Sequence, residues 1–270
     1  MKAPAFAYAK PRSLAEALQL LSSPGAKALA GGQSLIPSLN MRLSSPEMLV
    51  DINGLAELQG IRVDQDAVTI GALTTHAGIE RSDVVRKHLP LLAEAVQHVA
   101  HAAIRNRGTI GGSLALADPA AEYPACVLAL EAVLLVASGK GARRVKAEDF
   151  FKGLFETDLR AGELLTGVEF PLAAKGERSA FVELARRQGD YAIVGLAARR
   201  AATLRLAFFG VGATPVLARH AAAQQTLRKA SEALARDLDP AADLYHSAAT
   251  KLHLARVLLE RAWNAISTSH

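Results

Sequence analysis

The sequence predicts an α+β protein, and three observations carry that prediction. Short apolar runs such as Lys27–Ala30 and Met48–Ile52 read as buried strands that break into turns. Between such runs, residues such as Leu91, Leu92, Ala95, Val96, Val99 and Ala103 recur at helical spacing. Neither an internal repeat nor a low-complexity stretch is present, so no repetitive architecture applies.

Taken in order, Phe6–Pro11 is a short extended opening, and Ser13 caps a helix bearing Leu14, Ala17, Leu18 and Leu21 on one face. Glu16, three residues after Ser13, completes a capping-box pattern. Lys27–Ala30 delivers the chain to Gly31-Gly32, and Leu35–Leu39 forms a helical turn with Pro37 near its start. Gly60–Val63 and Ala67–Gly71 flank Asp64-Gln65-Asp66 as a hairpin. Thr74 or Thr75 leads into a helix, and Pro90 opens a longer one that runs to about Arg105. A further helix spans Glu122 to Leu130, and Val133–Ala137 is a strand that turns at Ser138–Gly141. Ala173–Glu177 reads as a linker, which divides the chain into domains over 1–172 and 177–270, the first with lobes of about 1–57 and 58–172. Beyond it come strands near Ser179–Leu184 and Leu204–Val211, with an alanine-rich helix from about Ile193 between them. One long amphipathic helix from Ser247 to Ile266 closes the chain.

Composition removes several function classes. The 270 residues carry a formal charge of +5, yet the basic residues are scattered in ones and twos and no stacking aromatics interleave with them. That pattern predicts no nucleic-acid partner. Cys126 is the single cysteine, which excludes an internal disulfide, a zinc ribbon and an iron–sulfur cluster held by this chain alone. Its apolar neighbours predict a buried core thiol and not a nucleophile. Without a membrane-length apolar segment or a signal-peptide core, the sequence predicts a cytoplasmic protein with no membrane span.

The most informative residues are two glycine pairs, Ala30-Gly31-Gly32-Gln33-Ser34 and Thr109-Ile110-Gly111-Gly112-Ser113. Each lies where an apolar run breaks into a turn, and each is followed by a small hydroxyl residue. Missing Cβ atoms let backbone N–H groups converge on an anion, so the two pairs predict a cradle for the pyrophosphate of a dinucleotide. Neither has the Gly-x-Gly-x-x-Gly spacing of a Rossmann turn, and Ser138-Gly139-Lys140-Gly141 fails as a Walker loop. The cradle is of another type.

Ala-Gly-Gly-Gln-Ser followed by Leu-Ile-Pro, and Ile104–Ser113 followed by Asp118-Pro119-Ala120-Ala121-Glu122, resemble the FAD-binding subunits of molybdenum hydroxylases. Gln188–Gly195 and Leu252–Leu258 are similar too, so the resemblance covers nearly the whole chain. It implies a two-lobed FAD-binding domain of the PCMH/VAO-like type, then a small α+β C-terminal domain with a long terminal helix. It further implies that Ala30, Gly31, Gly32, Gln33 and Ser34, with Thr109, Ile110, Gly111, Gly112 and Ser113, wrap the FAD pyrophosphate and neighbouring hydroxyls. By the same resemblance Asp118 accepts hydrogen bonds from the adenosine end, the Leu165 backbone touches the flavin, and Tyr191 lies against the isoalloxazine ring. Gln33 stands where several relatives carry histidine, and Ser113 where many carry asparagine. Glu183 falls near a position where some relatives place lysine, and a carboxylate there disfavours anionic reduced flavin.

The implied function is electron transfer with no catalytic acid, base or nucleophile in this chain. A small subunit with two [2Fe–2S] clusters supplies electrons, and a large subunit carries the molybdenum–pterin cofactor. The implied assembly is a dimer of heterotrimers, with NAD, a quinone, oxygen or another acceptor receiving the electrons. A stand-alone FAD-dependent oxidase or dehydrogenase of the same superfamily, and a non-catalytic nucleotide-binding module, are the alternatives. His98 and His101, three apart, lack a nearby partner for a metal site and read as an exposed helix face, as do His246 and His253. No metal ligand is assigned.

Overall fold

Three short strands found the first lobe in a computed structural model that describes residues 2–267. Ala7–Ala9, Met48–Asp51 and Ala26–Leu29 lie side by side in that order, both pairings parallel. The helix Leu14–Leu21 buries Ala17, Leu18 and Leu21 in one cluster with Val50, Ile52 and Leu55. Its cap follows from the sequence: Ser13 Oγ accepts the Glu16 N–H at 3.2 Å. Glu16 reaches back to the N–H of Arg12, one residue earlier than an ideal capping box.

A five-stranded antiparallel sheet forms the second lobe, in the order Ile61–Val63, Ala67–Gly71, Leu164–Pro171, Val133–Ser138, Gly141–Lys146. The expected hairpin is its first pair. Helices His76–Glu80, Pro90–Ala95, Ile110–Leu116 and Glu122–Ala129 share one buried core with this sheet, drawn from Val68, Ile70, Leu91, Leu114 and Val127 among others. Thr75 Oγ1 and Thr109 Oγ1 cap two of these helices by accepting N–H groups three residues on.

Beyond the turn at 174–177, the strands Arg178–Ala185, Ala192–Arg200, Leu204–Phe209 and Val216–Leu217 form an antiparallel sheet. Leu196, Ala198, Leu206 and Phe208 share a core with Leu258, Leu259 and Trp263 of the terminal helix Ala248–Ser267. On the other face Phe181, Ala197, Ala207 and Phe209 join the core of the second lobe.

This two-faced burial corrects the expected helix from Ile193. Ala192–Arg200 is the second strand of the sheet, and because both faces are covered it shows no polar alternation. A continuous apolar run with many alanines then reads like a buried helix. Gly195 is required by packing, since a Cβ there would lie 2.0 Å from the Phe209 ring. The helix expected from Pro90 to Arg105 is also interrupted. It ends at Ala95, and Ala100 takes the left-handed conformation at φ 45° before a short helix Ala102–Arg105. The Arg105 guanidinium holds that break: it donates to the carbonyls of Val99 and Ala100 at 3.2 and 3.1 Å and pairs with Glu80. His98 therefore lies in a turn and not on an exposed helix face.

Candidate functional site

The two glycine pairs meet backbone to backbone. A Cβ on Gly31 would lie 2.1 Å from the carbonyl oxygen of Arg107 and 2.8 Å from the Gly108 Cα. Gly31 is buried in that contact, while Gly32, at φ 71°, and the exposed Gln33 and Ser34 lead away from it. Asn53 clips the start of the loop, donating from Nδ2 to the carbonyls of Leu29 and Ala30 and to Asp51. Asp51 is in turn held by the Tyr8 hydroxyl. The Gln33 side chain folds back on the Gly31 carbonyl at 3.1 Å. Among the hydrogen bonds of the described residues, none is donated by the backbone N–H groups of Gly31, Gly32, Gln33 or Ser34.

The second pair is different. Its N–H groups are committed within the chain: Ile110 to the Thr74 carbonyl, Gly111 to the Ala72 carbonyl, Gly112 to Thr109 Oγ1 and Ser113 to the Thr109 carbonyl, at 2.9–3.1 Å. A Cβ on Gly111 would meet Ala72 at 2.5 Å, so this glycine serves close packing. Gly112 is exposed, and the nearest obstacle to a Cβ there is its own cap, Thr109 Oγ1, at 3.0 Å. Thus Gly31 and Gly111 draw the loops together, and Gly32, Gln33, Ser34, Gly112 and Ser113 make the accessible surface between them.

Ala72 links this surface to Leu165. Its carbonyl accepts from Gly111 while its own N–H donates to the Thr166 carbonyl at 3.0 Å. Leu165 itself is buried at an irregularity in the strand Leu164–Pro171. Beneath the second loop His76 is buried, its imidazole pushed down to about 4 by desolvation and the nearby Arg105 charge, so it is neutral. A Cβ on Gly108 would meet His76 Nε2 at 2.6 Å, which makes the ring the floor of the loop.

Asp118 and Tyr191 come together from the two domains. Asp118 Oδ1 accepts the Ala120 N–H at 2.9 Å, and desolvation raises its carboxyl above the usual range. The Tyr191 hydroxyl is raised by burial and by the charges of Asp118 and Glu122, although the ring as a whole is 75% exposed. Gly189, at φ 82°, sets the approach: a Cβ there would lie 2.7 Å from the Ala100 carbonyl. Beside Tyr191 opens a cleft of about 540 Å³ between Pro119, Ile193, Arg186 and Tyr245.

Sequence reasoning missed a buried group behind Tyr191. Glu122 is 8% exposed, and desolvation pushes its carboxyl up to about 7. His98 Nδ1 lies 3.3 Å from Glu183 Oε1, and that bond is the main cause of its raised imidazole. Glu94 accepts the Phe181 N–H at 2.8 Å across the domain seam. Nothing local marks these residues, because helix, turn and strand bring them together from distant segments. Cys126 is buried as expected, its thiol raised by desolvation.

The loops fit a dinucleotide on structural grounds: among the described hydrogen bonds the N–H groups of Gly31, Gly32, Gln33 and Ser34 donate none, and Gly32, Gln33 and Ser34 lie outside the buried contact between the loops. Comparison with known proteins agrees. Residues 4–173 match the FAD binding domain in molybdopterin dehydrogenase, and residues 179–266 match the CO dehydrogenase flavoprotein C-terminal domain. The chain is 38% identical to the 6-hydroxypseudooxynicotine dehydrogenase complex subunit alpha of Paenarthrobacter nicotinovorans, covering 97% of this chain and 94% of that one. It is 36% identical to the carbon monoxide dehydrogenase medium chain of Hydrogenophaga pseudoflava, over 97% of each. A chain of the reconstituted CO dehydrogenase from Oligotropha carboxidovorans superposes with a TM-score of 0.95 at 34% identity, over 100% of both chains. The chain belongs to the FAD-binding subunits of molybdenum-hydroxylase-type dehydrogenases, and it is an oxidoreductase component. Among its described residues no helix is long and apolar enough to cross a membrane.

Proposed function

We propose that this chain holds FAD between its glycine loops and the Tyr191 face, and serves as the electron outlet of a cytoplasmic molybdenum hydroxylase. The observation that carries the binding reading is the row of free N–H groups at Gly31, Gly32, Gln33 and Ser34, held open by the Gly31–Arg107 contact. These groups would neutralise a pyrophosphate without a bulky cation, and the hydroxyls of Ser34 and Ser113 would add donors. The second loop would contribute surface and the Ser113 side chain, since its own N–H groups are spent. Asp118 would accept hydrogen bonds from the adenosine end of the dinucleotide, and Tyr191, whose hydroxyl feels the Asp118 charge, would lie against the isoalloxazine ring. Leu165 would pack beside it through the Ala72 link.

Bound FAD would supply redox chemistry that accepts and releases electrons singly or in pairs. The protein's part is to orient it, to cover one face of the ring with Tyr191, and to set the local charge. We place residues 1–172 as the FAD-binding unit and 177–270 as the domain that completes the flavin pocket. A [2Fe–2S] subunit and a molybdenum-bearing subunit would complete the assembly, as a dimer of heterotrimers. The test is to purify the chain from its host with an N-terminal tag and record the visible spectrum and the co-purifying chains. Flavin and iron–sulfur absorbance with one large and one small extra subunit is the expected result. A colourless protein without partners would overturn the reading.

A further inference from the structure

His98 and Glu183 meet at 3.3 Å in the seam, and Glu94 and Glu122, from two further elements, act on the same imidazole. Glu94 comes from the helix Pro90–Ala95, His98 from the turn after it, Glu122 from the helix Glu122–Ala129 and Glu183 from the strand Arg178–Ala185. Glu94, Glu122 and Glu183 all act on His98, and Glu122 also feels Asp118 from the loop before its helix. The other titratable groups on that helix, Tyr123 and Cys126, are fully buried and held neutral, and Tyr191 closes the group from the C-terminal domain.

Desolvation raises the carboxyls of Glu94 and Glu122, and the nearby Glu183 raises Glu122 further. The Glu183 side chain is 5% exposed, and its Oε2 is buried with no hydrogen-bond partner. An acceptor left in that state costs stability until a proton or a donor reaches it. His98 gives the group its contact with solvent, for its side chain is 39% exposed while Nδ1 faces Glu183.

We propose that Glu122, Glu183 and His98 form a proton-sharing group that takes up one proton from solvent when reduction places negative charge on a flavin beside Tyr191. The inference rests on the reading that FAD lies against Tyr191. A flavin bound there would accept two electrons, one from each of two equivalents of a one-electron donor, together with one proton. One carboxylate of the group takes a second proton and becomes a carboxylic acid. Two electrons and two protons enter, so the seam and the ring together gain no net charge. The group also eases the conflict between a carboxyl-rich seam and anionic reduced flavin, because the negative charge of the seam falls as that of the ring rises.

The test is electrochemical reduction of the full chain loaded with FAD, with a viologen as electron donor, followed by infrared difference spectroscopy at neutral pH. Flavin bands confirm loading independently of any carboxyl signal. The expected result is a protonated-carboxyl stretch that appears on reduction in the wild type and is lost in Glu122→Gln or Glu183→Gln. The same variant should take up one proton fewer per two electrons in the pH dependence of its flavin midpoint potential. Normal flavin bands with no carboxyl change in the wild type would overturn the proposal and leave FAD binding intact. A carboxyl band that both variants retain would overturn it too, by placing the proton elsewhere. A chain that takes up no FAD would overturn the flavin reading and this proposal with it. The wild-type spectrum and Glu183→Gln decide the matter should Glu122→Gln fail to fold.

Discussion

Gly31 and Gly112 look alike in sequence and do different work. A Cβ at Gly31 collides with backbone, so Gly31→Ala should cost about 3 kcal/mol or more, read from urea unfolding. Gly112→Ala meets only its own cap and should unfold within about 1 kcal/mol of wild type, yet retain FAD at least about tenfold more weakly. Equal FAD retention in a folded Gly112→Ala would place the dinucleotide elsewhere. Two buried titrating residues give opposite pH signatures. The Glu122 carboxyl, raised from 4.5 to about 7, favours the fold below pH 4.5 and loses that contribution as pH rises through 7. Glu122→Gln should therefore gain on wild type with rising pH, by up to about 3 kcal/mol, read from melting temperatures across that range. His76, lowered from 6.5 to about 4, contributes stability above pH 6.5 that is lost as pH falls through 4. His76→Gln should flatten that acid limb. Sequence marked the glycine pairs as a candidate cradle, because glycine and hydroxyl residues are local signals. It could not divide them into packing and binding positions, because Arg107 and Ala72 decide that from far along the chain.

At the scale of elements, what is locally encoded was legible. Ser13, Thr75 and Thr109 start helices because their hydroxyls accept N–H groups three residues on, and Asp64-Gln65-Asp66 turns a hairpin between two β-rich runs. The strand Ala192–Arg200 was hidden because a second domain covers the face that would have shown polar residues. The break after Ala95 was hidden because a distant guanidinium stabilises it. Arg105 satisfies two carbonyls of that turn and pairs with Glu80, so Arg105→Met should cost about 2 kcal/mol in urea unfolding. Its hydrogen exchange should rise first around Ala100 and Gly189, where the turn supports the Tyr191 loop. An unchanged exchange pattern there would remove Arg105 from the positioning of Tyr191.

For the whole molecule, the seam between the domains is both a core and a charge network. Arg205 donates to the Leu128 carbonyl and to Glu148, and Arg199 joins Glu131 to the buried Glu177. Arg205→Ala should loosen the C-terminal sheet before the first domain unfolds, so a single melting transition should broaden or divide in calorimetry. One sharp transition would show that apolar contact alone couples the domains. The fold class was readable from punctuation and periodicity. The seam was not, since Glu94, His98, Glu122 and Glu183 acquire their meaning only when the sheets pack. The central claim is that the first glycine loop offers its free N–H groups to FAD while the second is already satisfied. Amide hydrogen exchange of the full chain, with and without FAD, tests it most directly. Protection should rise at Gly31, Gly32, Gln33 and Ser34 and stay unchanged at Ile110, Gly111 and Gly112. Unchanged exchange in the first loop with saturating FAD, or protection gained only in the second, would contradict it.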